Sequence, residues 1–405
     1  MKILKTITLF LVFYLLTSID VLSCTSAVIT GKATPDGRPL LWKHRDTDYL
    51  PNHIAKVKGE KFDFIANVNS ENFDTLKEAW IGKNSAGFAI MNTQSYNLVD
   101  VKDGEERGAA NGSIIYRALE ICETIDDFKN LLDTIPKPSL IEANFGVIDA
   151  NGSAGVFEVD YYNYVFFDAN DENVAPDGFI TRTNFSVSGK ENQGLGYVRF
   201  MEADSVIRSL AENNCLTPAN IYNQLSRSFH NPALEVDLLG PAFNKDWFID
   251  QDFIPRNITS CSIIIQGGKE GESPETDVMW TILGYPPTGL ALPLFLSDEI
   301  DLPIVMQKDS DLGSAPMSYY SLQQADEVFG YNGVNGTGKY INLKKLKNDD
   351  GTGFIQRLTP IENEIFVLAL PLIEKWRKDG KVNHLQLKEF YNRVEKDIAQ
   401  YYQVP

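Results

Sequence analysis

The residue of greatest chemical interest is Cys24, which follows a segment typical of a secretory leader. Lys2 and Lys5 precede an apolar run over residues 7–16, and Val21-Leu22-Ser23 places short side chains just before Cys24. This pattern predicts a signal peptide that is cut after residue 23. Cleavage there makes Cys24 the first residue of the mature chain.

A cysteine at the N-terminus combines a nucleophile and a base in one residue. The α-amino group ordinarily titrates near pH 8, so an appreciable fraction of it can take the thiol proton at neutral pH. The thiolate can then attack an amide carbonyl and form a thioester. Because the amine supplies the base, we interpret the nearby His44 as a bystander.

The same four residues allow a second interpretation. Val21-Leu22-Ser23-Cys24 is also similar to a bacterial lipobox, in which the cysteine is lipidated. An alkylated sulfur and an acylated amine offer neither nucleophile nor base. Two hypotheses therefore stay open: an exported enzyme, periplasmic or extracellular, and a non-catalytic surface lipoprotein or binding module anchored at Cys24.

The elements around Cys24 are predicted to form a β-hairpin. Cys24–Thr30 and Arg38–Trp42 have strand character, and Pro35-Asp36-Gly37 between them is typical of a tight turn. A hairpin returns its second strand beside the first, so Arg45 and Asp48 can lie alongside the cysteine. A guanidinium near sulfur favours the thiolate, and a carboxylate can hold the ammonium that forms on the amine.

The opening of the predicted mature chain resembles that of cysteine N-terminal nucleophile hydrolases. The similar segments are Cys24-Thr25-Ser26, Gly31-Lys32-Ala33-Thr34 followed by Asp36-Gly37, and Arg45-Asp46-Thr47-Asp48. The families concerned are the choloylglycine hydrolases (bile salt hydrolases and penicillin V acylases), the acyl-CoA:6-aminopenicillanate acyltransferase-like amidohydrolases, and related dipeptidases. These families begin Cys-Thr and carry Arg-x-x-Asp about twenty residues later.

The resemblance continues over roughly residues 24–290 and implies further site residues. Gly87-Phe88-Ala89-Ile90-Met91-Asn92 looks like the strand whose last asparagine contributes to the family's oxyanion hole, and Arg182-Thr183-Asn184 resembles the segment with its second active-site asparagine. Arg256 matches a later arginine more loosely. The implied catalytic set is Cys24, Arg45, Asp48, Asn92, Asn184 and Arg256, with no cofactor. From the residues alone, Asn92 can equally end a strand, Asn184 can cap a turn, and Arg256 can lie on the surface.

The order of elements predicts an α+β fold of antiparallel sheets layered with helices. The resemblance implies the four-layer αββα sandwich of N-terminal nucleophile hydrolases, with C-terminal helices. We expect a signal peptide over residues 1–23 and one domain over residues 24–405, in which residues from about 300 onward are a candidate helical extension. The Asn/Gly-rich span over residues 330–353 is a candidate loop. Helices are expected at Ser113–Cys122, Ile125–Leu132, Tyr197–Glu212, Pro218–Phe229, Ile361–Arg377 and Leu385–Tyr402.

Composition excludes several classes of protein. Hydrophobic residues make up 43% and charged residues 23% of the 405 residues, as in an ordinary globular chain. The formal net charge of −18, with no basic cluster longer than Lys344-Lys345, argues against a nucleic-acid partner. No apolar stretch reaches the roughly 20 residues that a membrane helix needs. A homo-oligomer is left open.

The other three cysteines suggest structural roles. Cys122 follows Ile115 and Leu119 at helical spacing, which predicts a buried core thiol. A bridge between Cys215 and Cys261 is left open, and no Cys/His spacing suits zinc.

Together these residues predict an exported N-terminal-cysteine amidohydrolase. It would cleave a linear amide bond of a small N-acylated substrate, of the bile-salt, N-acyl amino acid or acylated β-lactam type, through a thioester. Transfer of the acyl group to an amine acceptor and a related cysteine dipeptidase activity stay open as alternatives.

Overall fold

The computed structural model describes residues 23–100, 107–331, 334–336 and 340–402. The predicted leader lies outside the described residues, and cleavage before Cys24 therefore stays a prediction. Part of the candidate loop over residues 330–353 also lies outside them. The described remainder of that span contains short strands and one helical turn.

The strands of the described chain are numbered in sequence order. They are β1 (Thr25–Ile29), β2 (Leu40–Asp46), β3 (Asn52–Val57), β4 (Phe64–Asn69), β5 (Ile81–Asn84), β6 (Ala89–Gln94), β7 (Ala143–Ile148), β8 (Ala154–Val159), β9 (Tyr164–Asp168), β10 (Phe179–Arg182), β11 (His230–Asn231), β12 (Val236–Asp237), β13 (Trp247–Ile249), β14 (Thr259–Gln266), β15 (Val278–Leu283), β16 (Leu292–Leu294), β17 (Gly330–Tyr331), β18 (Val334–Asn335) and β19 (Tyr340–Asn342).

The α-helices are numbered in the same way. They are α1 (Phe73–Leu76), α2 (Asn111–Ile121), α3 (Ile125–Thr134), α4 (Tyr197–Glu212), α5 (Pro218–Ile221), α6 (Pro316–Val328), α7 (Leu343–Leu346), α8 (Phe354–Asp379) and α9 (His384–Tyr402). Shorter 3-10 turns lie at Gly31–Ala33, Pro274–Thr276 and Ile304–Met306, and a π-helical turn lies at Tyr222–Ser226.

Two predicted helices differ from the observed ones. The helix expected over Pro218–Phe229 ends as an α-helix at Ile221 and continues as the π-helical turn. The helix expected to begin at Ile361 begins instead at Phe354 and runs through Pro360. Phe354 and Leu358 are both buried, so the apolar face of α8 extends ahead of the proline and offsets the hydrogen bond that proline removes.

Two antiparallel sheets form the centre of the fold. A six-stranded sheet has the order β10-β1-β2-β14-β15-β16, and a seven-stranded sheet has the order β3 to β9. The hairpin predicted to follow Cys24 is confirmed as β1 and β2, which pair antiparallel with Thr25 opposite His44. β1 is therefore a central strand, flanked by β2 and β10.

The two sheets pack face to face at close distance. If Gly146 of β7 had a β-carbon, that atom would lie 2.8 Å from a methyl group of Val28 and 3.1 Å from a methyl group of Leu41. Both of these residues belong to the other sheet. Only a residue without a side chain allows this approach. The inner faces of β1 and β2 consequently lie against β6 and β7.

Helices cover both outer faces of this sandwich. α2 and α3 bury Ile115, Leu119 and Phe128 with the apolar residues of the seven-stranded sheet. On the other side α4, α8 and α9 share one hydrophobic cluster with the six-stranded sheet, and Trp280 of β15 stacks on Phe366 of α8 with ring centroids 4.5 Å apart. The predicted α+β class with four αββα layers and C-terminal helices is confirmed.

The C-terminal helices are also joined to the sheet layer by a buried ion pair. Arg227 donates two hydrogen bonds of 2.7 Å to the carboxylate of Glu362 in α8, and both side chains are 2% exposed. Arg227 also donates to the main-chain oxygens of Pro286 and Gly289. Among the described residues, none of the helices is both long and apolar enough to cross a bilayer.

Candidate active site

Cys24 stands directly before β1, at one end of the six-stranded sheet. Its side chain is 7% exposed, and its Sγ lies 3.7 Å from the main-chain oxygen of Asp46 in β2. The register pairs Ser26 with Lys43 and Thr25 with His44, so Cys24 continues opposite Arg45. Because alternate residues of a strand share a face, the thiol, Lys43 and Arg45 all point towards the seven-stranded sheet.

Lys43 connects this face to Asn92 across the sandwich. Its Nζ lies 2.8 Å from Oδ1 of Asn92 at β6 and 3.0 Å from the main-chain oxygen of Trp80, and the residue is 1% exposed. Burial lowers the pKa of Lys43 to about 8, although the negative charge of a Cys24 thiolate works in the opposite direction. Asn92 therefore lies on the inner face of the sandwich with a lysine on its oxygen, and its role in the oxyanion hole stays a prediction.

Arg45 is a second buried cation on the same face. It donates to Oδ1 of Asn69 at 2.9 Å and to Oγ of Ser260 at 3.3 Å, and its guanidinium lies 4.7 Å from the centre of the Trp80 ring. Burial lowers the pKa of Arg45 from its ordinary value, and the thiols of Cys24 and Cys261 act against this. The structure thus brings the predicted Arg45 beside the nucleophile.

Asn184 reaches the nucleophile through Arg199 of α4. Arg199 is 1% exposed, and its guanidinium donates to the main-chain oxygen of Cys24 at 2.8 Å, to Oγ1 of Thr25 at 2.8 Å and to Oδ1 of Asn184 at 3.0 Å. The amide nitrogen of Asn184 donates to the main-chain oxygen of Gln94 at 2.8 Å. One arginine therefore holds both the main chain of the nucleophile and the second asparagine.

Arg256 lies at the peptide bond that precedes Cys24. Its guanidinium binds Oδ2 of Asp46 at 2.7 and 3.1 Å and lies 3.4 Å from the main-chain oxygen of Ser23. Thr259 donates to the other oxygen of Asp46 at 2.7 Å. Burial acts to lower the pKa of Arg256, but Asp46 and Asp252 outweigh it and raise that pKa.

Asp48 stands apart from these buried groups. It is exposed, and its carboxylate accepts a hydrogen bond of 3.4 Å from Oγ1 of Thr47. Its negative charge acts on Arg45 only at longer range. Asp46, two residues earlier, is buried: its carboxylate binds Arg256 and Thr259, and its main-chain oxygen is the one that lies near the thiol of Cys24. The catalytic role of Asp48 stays a prediction.

His44 lies on the opposite face of β2 from the thiol. It is fully buried, and burial lowers its pKa to about 4, with Arg199 and Arg256 acting in the same direction. The imidazole is therefore neutral at pH 7 and points towards the helical layer, so its position agrees with the interpretation of His44 as a bystander.

All four cysteines are free thiols. Cys122 is buried as predicted, and burial raises the pKa of its thiol to about 12. Cys261 of β14 lies opposite Arg45 and is fully buried, so its thiol stands on the far side of Arg45 from Cys24. Burial raises the pKa of Cys261 to about 11. Of these thiols, Cys24 is the one placed directly before a strand, where Arg199 links its main chain to Asn184.

A cavity of about 510 Å³ adjoins the group around Asp46. Thr259, which donates to Asp46, forms part of its wall, as do Leu50 and Pro51 from the loop after β2. Tyr285 and Phe329 supply aromatic surface. The volume falls within the range of ordinary small-molecule pockets.

The sequence interpretation missed three residues of this site, namely Lys43, Asp46 and Arg199. Lys43 and Asp46 belong to the four polar residues that end β2 after the apolar Leu40-Leu41-Trp42, a signal that the strand carries polar groups into the interior. Arg199 shares the face of α4 that buries Ala203, Ile207 and Leu210. An arginine at a helical position that faces the core indicates a buried polar role, and this pattern could have identified Arg199 from the sequence.

Comparison with known proteins adds similar solved structures. Neither the protein-family models nor the curated sequences compared with this chain match it. The similar structures include an N-acylethanolamine-hydrolyzing acid amidase ortholog from Caenorhabditis elegans, with 14% identity, a TM-score of 0.41, and 62% of this chain and 93% of that chain covered. Penicillin V acylase from Agrobacterium tumefaciens has 13% identity, a TM-score of 0.39 and coverages of 68% and 89%.

A variant of conjugated bile acid hydrolase from Clostridium perfringens is similar as well. It has 10% identity and a TM-score of 0.40, with 69% of this chain and 94% of that chain covered. Penicillin V acylase and bile acid hydrolase are kinds of protein that the sequence resemblance names.

Proposed function

We propose that this protein is an exported N-terminal-cysteine amidohydrolase that cleaves a linear amide bond of a small N-acylated substrate. The observation that carries the proposal is the position of Cys24 at the start of a central strand. Its thiol faces two buried cations and Asn92 across the sandwich. The predicted cleavage after residue 23 adds the free amine that this arrangement needs as a base.

In the first step the thiol of Cys24 attacks the substrate carbonyl. The α-amine takes the thiol proton, a sulfur–carbon bond forms, and the carbonyl π electrons move onto oxygen. Arg45 on the neighbouring strand favours the thiolate, because a nearby positive charge stabilises the charged form of an acid. Arg199 fixes the main chain of Cys24, so the nucleophile is held before substrate arrives.

The negative oxygen of the tetrahedral intermediate needs hydrogen-bond donors. The carboxamide nitrogen of Asn92 makes no hydrogen bond to a described residue, so it is available to a ligand. Asn184 uses one of its two amide hydrogens on Gln94 and retains the other. A donor of this kind contributes on the order of 3 kcal/mol to transition-state stabilisation.

Collapse of the intermediate breaks the carbon–nitrogen bond. The ammonium of Cys24 returns its proton to the leaving amine, and the acyl group stays on sulfur as a thioester. Water, activated by the same amine, then attacks the thioester and releases the acid and the free thiol. An amine acceptor in place of water would give acyl transfer instead.

A cavity of about 510 Å³ with a mixed aromatic and polar wall lies beside Asp46, but Cys24, Arg45, Asn92 and Asn184 are not among the residues that line it. The small size of the proposed substrate therefore rests on the resemblance of the sequence to enzymes that act on N-acylated small molecules, of the bile-salt, N-acyl amino acid or acylated β-lactam type.

The test compares the mature chain that begins at Cys24 with its Cys24→Ser variant on a panel of N-acyl amides. We expect turnover by the mature chain and a loss of at least about 100-fold in the variant, with an unchanged circular dichroism spectrum. Equal turnover in the two proteins would overturn the proposal. A lipidated Cys24 in the exported protein would favour the anchored binding module instead.

A further inference from the structure

Lys43 is a buried cation that has no role in the reaction steps proposed for Cys24. It lies on β2, its side chain is on the same face as the thiol of Cys24, and it is 1% exposed. Its Nζ donates to two neutral oxygens, on Asn92 and Trp80. Among the described residues, no carboxylate oxygen lies within 4 Å of it. A buried ammonium without a counter-charge is costly, so the surroundings must supply one.

A second buried lysine, Lys83, shows the kind of negative group that Lys43 lacks, namely a nearby carboxylate. Lys83 of β5 is also 1% exposed, and it also donates to main-chain oxygens, those of Pro274 and Asp277. The carboxylates that oppose the burial cost of Lys83 belong to Asp277 and Glu275. For Lys43 the strand register instead brings the thiol of Cys24 to the same face of the sheet, so the nucleophile is the group that can carry the opposing charge. The thiols of Cys24 and Cys261 act on Lys43 in the direction that the carboxylates act on Lys83.

The contact with Asn92 has a second consequence. An ammonium group has only hydrogen-bond donors, whereas a carboxamide has an oxygen acceptor and a nitrogen donor. Lys43 therefore fixes the oxygen of Asn92 on its own side. The nitrogen must then point away from Lys43, which leaves its hydrogens free for a substrate oxygen. Reversing the amide would place two donors against each other.

We propose that Lys43 is a positioning residue of the amidohydrolase, which serves as counter-ion to the Cys24 thiolate and holds the Asn92 carboxamide with its nitrogen towards the substrate. The inference rests on the proposed function and deepens it. The charged and titratable groups that face Lys43 are Cys24 directly before β1, Arg45 on β2 and Cys261 on β14. From the opposite sheet Lys43 meets the neutral groups of Asn92 and Trp80.

Three substitutions separate the two roles. Lys43→Met removes both the charge and the donor, Lys43→Gln removes the charge and keeps a donor, and Lys43→Arg keeps both. Lys83→Met is the matched control, because it also removes a buried lysine that donates to main-chain oxygens. Each protein is prepared as the mature chain that begins at Cys24, and its fold is checked by thermal unfolding.

The first measurement needs no substrate. The rate at which iodoacetamide alkylates Cys24 is followed by mass spectrometry of the N-terminal peptide between pH 5 and 10. We expect the midpoint of this pH curve to rise by about one unit in Lys43→Met and Lys43→Gln, since a stabilising positive charge is lost. Lys43→Arg and Lys83→Met should keep the wild-type curve. An unchanged midpoint in both neutral variants overturns the counter-ion role.

The second measurement is the kinetics of amide hydrolysis. We expect kcat to fall about 100-fold in Lys43→Met with little change in KM, and to fall less in Lys43→Gln, which can still donate to Asn92. A loss in Lys43→Met no larger than that in Lys83→Met overturns the positioning role. If Lys43→Met does not fold, Lys43→Gln decides both measurements. An inactive wild-type protein would count against the proposed function, while the alkylation curve would still decide the counter-ion role.

Discussion

Arg199 of α4 joins the main chain of Cys24 to Asn184, with its guanidinium 2.8 Å from the oxygen of the first and 3.0 Å from Oδ1 of the second. The nucleophile at the start of β1 and the asparagine after β10 are therefore held by one side chain from the helical layer. Asp252 binds the same guanidinium at 2.7 Å and so fixes it in turn. The relationship predicts that this arginine controls the geometry of the site.

We expect Arg199→Met to lower kcat for N-acyl amides by about 10- to 100-fold, because misplacing a nucleophile by a fraction of an ångström is costly. The matched control is Arg208→Met on the same helix, where the arginine is exposed and pairs with Asp177 and Asp204. The measurement is steady-state kinetics of the two variants. Similar kcat values in both would contradict a role for Arg199 at the site.

The oxyanion assignment predicts a selective loss of turnover. Asn92→Ala removes a donor needed in the transition state, so kcat should fall about 100-fold while KM changes little. Asn84→Ala is the control, because Asn84 is a buried asparagine that binds the main-chain oxygens of Leu119 and Cys122 away from the site. If Asn92→Ala changes KM alone, Asn92 serves binding and the assignment is wrong.

Substitutions of Asp46 and Asp48 should have different effects on the stability and on the activity of the protein. Asp46→Asn breaks a buried ion pair with Arg256, so we expect the free energy of unfolding to fall by about 3 kcal/mol. Asp48→Asn changes an exposed group and should alter it by less than about 0.5 kcal/mol. Urea unfolding measures both. The predicted catalytic role of Asp48 requires a lower kcat in Asp48→Asn, and an unchanged kcat would remove it from the site.

The buried imidazole of His44 predicts a pH effect on stability. Its pKa is lowered to about 4 in the folded protein, from an ordinary value near 6.5. Between these values the unfolded chain takes up a proton that the folded chain does not, so the contribution of His44 to stability is lost as the pH falls from 6.5 to 4. Wild-type protein should therefore lose more unfolding free energy than His44→Gln between pH 7 and pH 4.5. Parallel losses in the two proteins would contradict the buried, neutral state.

The ion pair between Arg227 and Glu362 predicts how the C-terminal helices unfold. Removing one partner of a fully buried pair costs about 3–5 kcal/mol, so Arg227→Met should lower Tm strongly and keep a single transition if α8 unfolds together with the sheets. Lys344→Met, which breaks an exposed pair with Asp246, should change stability by less than about 1 kcal/mol. Two separate transitions in the wild-type protein would show that the helices unfold independently.

Local patterns predicted the hairpin at Cys24, helix α4 with its bounds, and the start of α3 at Ile125. In α3 the Thr124 side chain accepts from the main chain of Asp127, and Asp127 accepts in return. Such elements depend on neighbours in sequence, which explains the success. The hairpin and the family resemblance imply Arg45 and Asn92 as site residues, and the structure puts both side chains on the inner face of the sandwich.

Other features depended on contacts that no local pattern contains. In the sequence, Lys43 is simply a polar residue beside His44. Its contact with Asn92 forms only because the second sheet packs on the first. In the sequence, Arg199 is one of the arginines of an amphipathic helix. Its contact with Cys24 depends on the packing of α4 against the start of β1. The exposed position of Asp48 and the buried one of Asp46 depend on where β2 ends, and strand ends are among the least predictable bounds.

The proposed function requires Cys24 to be a free N-terminal nucleophile, and the mass of the N-terminal peptide shows whether it is. The exported protein is isolated, mixed with an N-acyl amide that it hydrolyses, quenched in acid within milliseconds to seconds, and digested. We predict a peptide that begins with unmodified Cys24 before the reaction and carries the mass of the acyl group during it. A diacylglyceryl-modified Cys24, or turnover without an acyl group on this peptide at any time, would contradict the proposed function.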